Sequence, residues 1–464
     1  MSNDKLADSS WQQARLIPTS GINGAQEQER RATSALLAVM SAVKEYGRTL
    51  TKSLGAHAGE IETFIEVEFD LDGKKVIPDG LIRVSRGSKV WTALVEVKTG
   101  RNDLQTEQLE NYLEVARREG FQALLTISNE TPSAPGVHPT RVDKRKLKYV
   151  GLHHLAWSEV LSLAVLEKEY RGVADPDQAY ILGELIRYLE HPRSGALEFE
   201  DMSSSWVAVR NAVADGTLRA NNPGAAEVAG RFDALLRFTA LQLSTRLGTE
   251  ATVAYSRKDQ NDPSSRSQAQ INNMVQHGRL EGALKIPNTV GTLNVVVDLR
   301  ARQVTCSVDL DAPKEGRPLT KVNWLVRQLK SADGRTRLEC NVLNQRGSGA
   351  TELLERVREK PDLLILDPVK TIRNFTVALN SPMGLKSGRG QGSFIDGFLE
   401  SIDTFYGEVL QSLKAWAAKP PRMRDQTDVS DLAKDQEVVP ALVSTALSSQ
   451  DGATVAEGET AAAG

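Results

Sequence analysis

Cysteine is nearly absent from this chain. Only Cys306 and Cys340 occur among 464 residues, and they lie far apart in the sequence. Two cysteines cannot supply the four thiolates of an iron–sulfur cluster, and so few in so long a chain do not indicate a disulfide scaffold. The scarcity therefore predicts a cytoplasmic protein in a reducing setting, in which both cysteines are buried small hydrophobes.

Long apolar segments and nucleotide-binding motifs are also missing. No run of eighteen apolar residues occurs, so no membrane-spanning helix is predicted. Residues 1–13 lack the basic start and the apolar stretch of a signal peptide. The Gly-rich segment 386–393 is not followed by the Lys-Ser/Thr that a phosphate loop requires, and we interpret it as a flexible linker. The absence of Walker A and helicase motifs argues against an ATP-driven machine within this chain.

Acidic residues accumulate at one end of the chain. The formal net charge is −3, but residues 425–464 alone carry −7, which leaves +4 on residues 1–424. Residues 419–464 are rich in Ala, Ser, Thr and Gly, so we predict a disordered acidic tail. Two roles stay open for this tail. It is either a solubilising end, which we favour, or a segment that competes with nucleic acid for the basic surface.

Two short polar motifs lie inside apolar, strand-like segments. Pro78-Asp79 occurs in KVIPDGLIRV, and Glu96-Val97-Lys98 follows in KVWTALVEVKTG. The Val, Ile, Leu and Trp residues around these motifs predict two β-strands joined by a polar turn. Because side chains in a strand alternate faces, Glu96 and Lys98 point the same way and Val97 points into the core. The sequence therefore predicts that two acids and a lysine converge at the edge of one sheet.

This combination of side chains suits metal-assisted cleavage of a phosphodiester. Two carboxylates hold a hard cation such as Mg²⁺, or Mn²⁺ in its place, through oxygen ligands. The metal polarises the phosphate and lowers the pKa of a bound water, and the lysine stabilises the developing charge. The predicted metal ligands are Asp79, Glu96 and Val97.

The segments around the motifs define an order of helices and strands. Residues 27–53 and 103–119 carry apolar residues at helical spacing, whereas 61–69 and 121–128 have the pattern of strands. With the two motif strands, the predicted order is α-β-β-β-α-β. Because a helical crossover joins parallel neighbours, the strands on either side of the second helix are expected to be parallel.

These residues in this order resemble the PD-(D/E)xK phosphodiesterase superfamily, which has the restriction-endonuclease-like fold. Asp79 matches the acid of the first half-motif, and Glu96 and Lys98 match the second half-motif. In the following helix, Gln108 and Tyr112 fit the QxxxY pattern of RecB-like nucleases, and their spacing puts both on one helical face.

The resemblance also implies a glutamate on the first helix. Glu29 is the better candidate for this position and Glu27 is the second. The resemblance then implies an α/β chain with an αβββαβ nuclease domain over residues 26–157. The catalytic residues that it implies are Asp79, Glu96, Lys98, Gln108, Tyr112 and Glu29.

The resemblance implies a metal-dependent nuclease that hydrolyses phosphodiester bonds, with DNA as the favoured substrate, and that acts in a bacterial defence or repair system. Two alternatives remain open at this point. One is a non-catalytic module that kept the fold and binds nucleic acid or protein, and the other is an RNA-directed nuclease of the same fold. Intact residues at the three motif positions favour catalysis over the non-catalytic module.

A basic run follows the predicted nuclease strands. We interpret it as a phosphate-contacting surface near the active site, with a solvated loop as the alternative. Its cationic residues are Arg141, Lys144, Arg145, Lys146 and Lys148.

The rest of the chain carries no further motif. We predict an N-terminal extension at 1–25, a helical region at 158–250 and an α+β domain at 251–418. The last of these is expected to serve recognition, sensing or assembly, either as a homo-oligomer or with a protein partner. Its predicted elements include a hairpin around 300–302, a loop at 258–273, a buried strand at 361–367 and a final helix at 394–417.

Overall fold

A computed structural model describes residues 16–17, 24–134, 136–196, 199–343 and 349–418. The chain divides into two compact units, Met1–Trp416 and Ala417–Gly464, and the described helices and strands all lie in the first unit. The predicted disordered tail at 419–464 and nearly all of the predicted N-terminal extension lie outside the described residues. No helix in the described ranges is long and apolar enough to cross a membrane.

The first part of the chain is built on a mixed five-stranded sheet. Its strands lie in the order β1-β4-β5-β6-β7, and a separate small hairpin is formed by β2 and β3. The elements are α1 (Ala25–Ala42), α2 (Lys44–Ser53), β1 (Glu60–Ile65), β2 (Phe69–Leu71), β3 (Lys74–Val76), β4 (Gly80–Arg86), β5 (Lys89–Val97), α3 (Thr106–Arg118), β6 (Ala123–Ser128) and β7 (Gly151–Ala156).

The order of elements predicted for this part agrees with the structure only in part, because the predicted helix at 27–53 is divided at Val43 into α1 and α2, and the β2–β3 hairpin was not predicted. The pair β4–β5 is an antiparallel hairpin, while β5 and β6 are parallel with α3 as the crossover between them. The prediction of parallel strands on either side of this helix is therefore confirmed. The strand predicted at 61–69 ends earlier, at Ile65, because Glu66 adopts a positive φ of 50° that breaks the extended backbone.

The two faces of this sheet are covered by different helices. Val95 and Val97 of β5 point to the face covered by α1, whereas Leu94 points to the face covered by α3. This alternation is what a strand buried on both faces requires. Glu96 shares the parity of Leu94, so its side chain projects to the α3 face.

The predicted helical region is helical in the structure, and its helices are shared between two hydrophobic cores. Its helices are α4 (Trp157–Val165), which continues into a π-helical turn at Leu166–Arg171, then α5 (Pro176–Leu189), α6 (Trp206–Ala214) and α7 (Pro223–Leu247). Buried residues of α4 and α5 pack with the first sheet, whereas those of α6 and α7 join the core of the second sheet.

The second sheet has seven antiparallel strands in the order β13-β12-β14-β11-β10-β9-β8. The predicted hairpin around 300–302 is confirmed as β10–β11. The elements are β8 (Thr252–Val253), α8 (Arg257–Asn261), α9 (Pro263–His277), β9 (Arg279–Lys285), β10 (Leu293–Asp298), β11 (Gln303–Asp311), α10 (Pro318–Gln328), β12 (Arg337–Val342), β13 (Ala350–Leu353), α11 (Leu354–Glu359), β14 (Ile372–Pro382) and α12 (Phe394–Glu408).

Three predictions in this second part were wrong. The polar segment 258–273 is not a loop but belongs to α8 and α9, because Ser256 and Asp262 cap both helices by accepting backbone N–H groups. The segment predicted as a buried strand at 361–367 contains a 3₁₀ turn at Pro361–Leu364, since proline favours the first turn of a helix. The last helix ends at Glu408 rather than 417.

Both cysteines are buried, as predicted, and neither forms a disulfide. The Gly-rich segment 386–393 connects β14 to α12 inside the same compact unit.

Candidate functional site

The two motif acids meet across a strand pair. The antiparallel register of β4 and β5 pairs Gly80 with Val95, so Asp79 and Glu96 lie opposite each other one position further along. Lys98 lies just past the end of β5 and shares the parity of Glu96. The three side chains therefore project from one edge of the sheet toward the face covered by α3.

Asp79 is oriented by the backbone of the opposite strand. The Val97 N–H donates to Asp79 Oδ2 at 2.7 Å. Burial raises the pKa of the Asp79 carboxyl, and this hydrogen bond and the charge of Lys98 only partly oppose the effect. Val97 itself is fully buried in the core between the sheet and α1, which agrees with the predicted direction of its side chain.

Glu96 is a fully buried carboxylate, and one of its two oxygens has no hydrogen-bond partner among the described residues. Lys98 Nζ lies 2.6 Å from Glu96 Oε1. The other oxygen, Oε2, is buried and has no hydrogen-bond partner among the described residues. Burial and the nearby Asp79 raise the pKa of Glu96 to about 7, although Lys98 opposes both effects. An acceptor oxygen buried without a partner is costly, and a bound cation is one group that would satisfy it.

Lys98 is held between two carboxylates. Besides Glu96, its ammonium lies 3.6 Å from Glu29 Oε2. Burial opposes the charge of the ammonium, but the carboxylates around it outweigh this effect and raise the pKa of Lys98. Lys98 is therefore a charged lysine beside two carboxylates.

The structure distinguishes between the two glutamates proposed on the first helix. Glu29 Oε1 accepts a hydrogen bond of 2.6 Å from Asn102 Nδ2, while its other oxygen approaches Lys98. Glu27 instead pairs with Arg31 at 2.6 Å along the same helix. Glu29 is thus the one brought to the site, as the sequence favoured.

Gln108 and Tyr112 form a hydrogen-bonded pair on α3. Gln108 Nε2 donates to Tyr112 Oη at 2.9 Å, and Tyr112 Oη donates to the Ile77 carbonyl at 3.2 Å. Burial, together with the charge of Glu96, raises the pKa of Tyr112 further above its usual range. Because Ile77 comes two residues before Asp79, this hydrogen bond positions the main chain just before Asp79.

Sequence reasoning missed the residues that hold the main chain after β5. The Trp157 indole N–H donates to the Lys98 carbonyl at 2.9 Å, and Asn129 Nδ2 donates to the Gly100 carbonyl at 2.8 Å. Gly195 adopts φ of +77° and accepts the Gly100 N–H at 2.9 Å. These partners come from distant parts of the chain, and no local pattern in the sequence identifies them.

The basic run lies on another side of α3. Thr106 Oγ1 donates to the Arg141 carbonyl, and Lys146 Nζ donates to the Glu110 carbonyl at 3.3 Å. Position 110 is rotated about 200° around the helix from Gln108. The run therefore packs away from the face that carries Gln108 and Tyr112.

The five cations of this run are not equally available to a ligand. Arg145 is paired with Asp143 at 2.6 Å, and Lys146 makes the contact with α3. Lys144 is exposed, and the Lys148 ammonium lies 5.3 Å from the centre of the exposed Tyr149 ring.

Only two of the three predicted metal ligands can bind a cation through their side chains. Within the described ranges, no group of three or more His, Cys, Asp or Glu side chains is placed to hold a metal ion. The candidate site has two, Asp79 and Glu96, and Val97 can add only a main-chain oxygen. The partnerless Glu96 Oε2 beside a second carboxylate is nevertheless the donor chemistry that a hard divalent cation takes.

A scan against protein-family models gives no match, and a search of curated proteins finds none that is similar to this chain. The resemblance to the nuclease superfamily therefore rests on the motif residues and on the order of elements.

Proposed function

We propose that this protein is a metal-dependent nuclease that hydrolyses phosphodiester bonds, with DNA favoured over RNA as its substrate. The observation that supports this most is the convergence of Asp79, Glu96 and Lys98 at one edge of a mixed sheet. The finer proposal, that this part is a restriction-endonuclease-like domain, is supported by the helix α1 before the sheet, the antiparallel strands β1, β4 and β5, and the crossover helix α3 to the parallel strand β6. The further proposal of a role in bacterial defence or repair rests on the family resemblance alone.

Asp79, Glu96 and the main-chain carbonyl of Val97 would hold the metal, Mg²⁺ or Mn²⁺. When bound, such a cation polarises the scissile phosphate and lowers the pKa of a bound water. Each carboxylate already has one oxygen engaged, Asp79 Oδ2 with the Val97 N–H and Glu96 Oε1 with Lys98. Their remaining oxygens are left for the cation.

The side chains around these ligands have separate tasks. Lys98 is a fixed positive charge beside the acids, so it can stabilise the charge that develops on the phosphate. Glu29 is a second carboxylate near the ammonium, with its Oε2 atom 3.6 Å from Lys98 Nζ. Tyr112 accepts a hydrogen bond from Gln108 and donates one to the Ile77 carbonyl. These contacts position the main chain that leads to Asp79.

The experiment that tests this function is a panel of substrates and metals. Purified protein is incubated with supercoiled DNA, linear DNA and RNA in the presence of Mg²⁺, Mn²⁺ or EDTA. The proposal expects cleavage of DNA with either metal and none with EDTA. Absence of cleavage on every substrate, or cleavage that persists in EDTA, would contradict it.

A further inference from the structure

A cleft of about 690 Å³ adjoins the candidate site, and its walls come from both halves of the chain. One wall is formed by residues 100–103 and 129–130, directly after β5 and β6. The other is formed by residues 199–201, by Arg231 of α7 and by Gly388 and Arg389 of the Gly-rich segment. Its volume lies within the range of roughly 300–1,000 Å³ that is typical of ligand sites.

The inner wall of the cleft, formed by residues 100–103 and 129–130, is connected to the site by two contacts. Asn102, which lines the cleft, donates to Glu29 Oε1 at 2.6 Å. The other oxygen of Glu29 lies 3.6 Å from Lys98 Nζ. A ligand in the cleft therefore lies next to the place where a phosphodiester would meet Lys98.

The outer wall is held in place by hydrogen bonds. Gly388 forms a β-bridge with Asp201, and Met202 N–H donates to the Ser387 carbonyl at 3.0 Å. Arg389 Nε lies 2.7 Å from Asp396 Oδ1 at the start of α12. The segment interpreted as a flexible linker thus makes contacts with two other parts of the chain and presents an arginine to the cleft.

Two arginines of the cleft have no carboxylate partner. Arg231 donates to the main-chain carbonyl of Asp201, and its guanidinium stacks on the Phe199 ring at 4.6 Å. No carboxylate oxygen lies within salt-bridge distance of Arg231 or Arg101 in the part of the chain that the structure describes. The partly buried guanidinium of Arg231 and the exposed one of Arg101 can therefore each accept an anion, and the planar fork of a guanidinium suits phosphate oxygens.

The cleft is also lined by acids, and this excludes a simple phosphate site. Asp103, Glu130, Glu200 and Asp201 line it together with the arginines. A bare anion would be repelled by these carboxylates. A nucleotide carries both kinds of group, because its phosphate takes arginine while the exocyclic amino group of a base donates to carboxylates.

From these walls and charges, we propose that the cleft holds one unpaired nucleotide of the substrate strand next to the scissile phosphate. Arg231 and Arg101 hold its phosphates, and the acidic wall meets the edge of its base. A cleft of about 690 Å³ between two walls has room for one nucleotide and not for a duplex, so a base that enters it has left its pairing partner, and the preferred substrate has a single-stranded segment at the cut. This inference rests on the proposed nuclease function.

The test is a binding measurement in a background that does not cleave, Glu96→Gln. Fluorescence anisotropy is measured with a labelled single-stranded oligonucleotide and with a blunt duplex of the same sequence. Arg231→Ala and Arg101→Ala are each added to the background. Arg101 is exposed, so its variant folds even if the loss of the Arg231 stacking contact destabilises the chain. The matched control is Arg335→Ala, an exposed arginine paired with Asp333 away from the cleft.

The inference expects each cleft variant to bind the single strand about tenfold more weakly, since each loses a charge-assisted hydrogen bond. The log–log salt slope should also fall by roughly 0.7 for each phosphate that the variant no longer neutralises. Arg335→Ala should bind as the background does, and the duplex should be affected less than the single strand.

Three outcomes would overturn the inference. If both cleft variants bind as the background does while the parent protein cleaves nucleic acid, the cleft is not a nucleotide site, although the proposed nuclease function stands. Equal losses for single strand and duplex remove the unpaired nucleotide, because they indicate a general phosphate surface. Neither cleavage nor binding by the parent removes the nuclease function and the cleft together.

Discussion

The indole N–H of Trp157 donates to the main-chain carbonyl of Lys98 at 2.9 Å, and the Trp157 side chain is almost fully buried. Through this contact, the first residue of α4 fixes the backbone from which the ammonium of Lys98 extends. The lysine is thus positioned from two directions, by Trp157 at its carbonyl and by Glu96 at its Nζ atom.

Trp157→Phe should keep an aromatic ring in the core but leave the Lys98 carbonyl without its partner. We expect a loss of about 1–3 kcal/mol in the free energy of unfolding, and a cleavage rate reduced by about tenfold to a hundredfold. The matched control is Tyr46→Phe, which removes a buried hydrogen bond to the Val160 carbonyl in the same core. If the two variants lose equal stability and also equal activity, Trp157 acts on the fold and not on Lys98.

Gly195→Ala should disturb the site from outside it. An alanine Cβ at Gly195 would lie 2.7 Å from Thr99 Cβ and would also collide with Gln28, the neighbour of Glu29. Gly216 has a similar positive φ of 69°, but a Cβ there meets nothing within 4 Å. Both alanine variants should lose about 1 kcal/mol of stability from backbone strain, and Gly195→Ala should lose more because of its collisions, yet only Gly195→Ala should slow cleavage. Equal rates in the two variants, measured on the same DNA, would contradict this role of Gly195.

The two glutamates of α1 offer a matched pair of variants. Glu29→Gln removes the charge that faces Lys98, so the cleavage rate should fall by about tenfold to a hundredfold. Glu27→Gln weakens a partly exposed pair with Arg31 and should keep the parent's rate. Steady-state cleavage by both variants checks this, and a stronger effect from Glu27 would reverse the assignment.

The basic run gives a prediction about affinity rather than rate. Lys144 and Lys148 are the exposed lysines of the run. Replacing both by alanine should lower the log–log salt slope of duplex binding by up to about 0.9 per residue. Binding isotherms from low to moderate salt measure this slope. An unchanged slope would make the run a solvated loop, which its position away from Gln108 allows.

The sequence was sufficient for the parts of the site that share one strand or one helix. The alternation of β5 places Glu96 and Lys98 on one face, and helical spacing brings Gln108 beside Tyr112. It was not sufficient for contacts made by residues far apart in the chain. Trp157, Asn102 and Gly195 reach the site only because of the way the chain folds back, which no local periodicity records.

The errors in the second half of the chain have a related cause. Residues 258–273 are polar enough for a loop, and the capping residues Ser256 and Asp262 were the overlooked signal for helices. The glycines of 386–393 suggested flexibility, but the segment is fixed by its bridge to Asp201 and by the pair between Arg389 and Asp396. Composition predicts the conformation that a segment favours in isolation, whereas the conformation of these segments depends on contacts with neighbouring residues.

The two carboxylates at this sheet edge are proposed to carry metal-dependent cleavage, and one comparison tests this most directly. The parent protein and Glu96→Gln are incubated with supercoiled DNA in Mg²⁺, after thermal melting has shown that both are folded. Glu96→Gln keeps the shape of the side chain but removes its charge. We predict that the parent relaxes and linearises the plasmid, that EDTA stops it, and that the variant leaves the plasmid supercoiled. Cleavage by Glu96→Gln at the parent's rate would contradict the central role of these carboxylates.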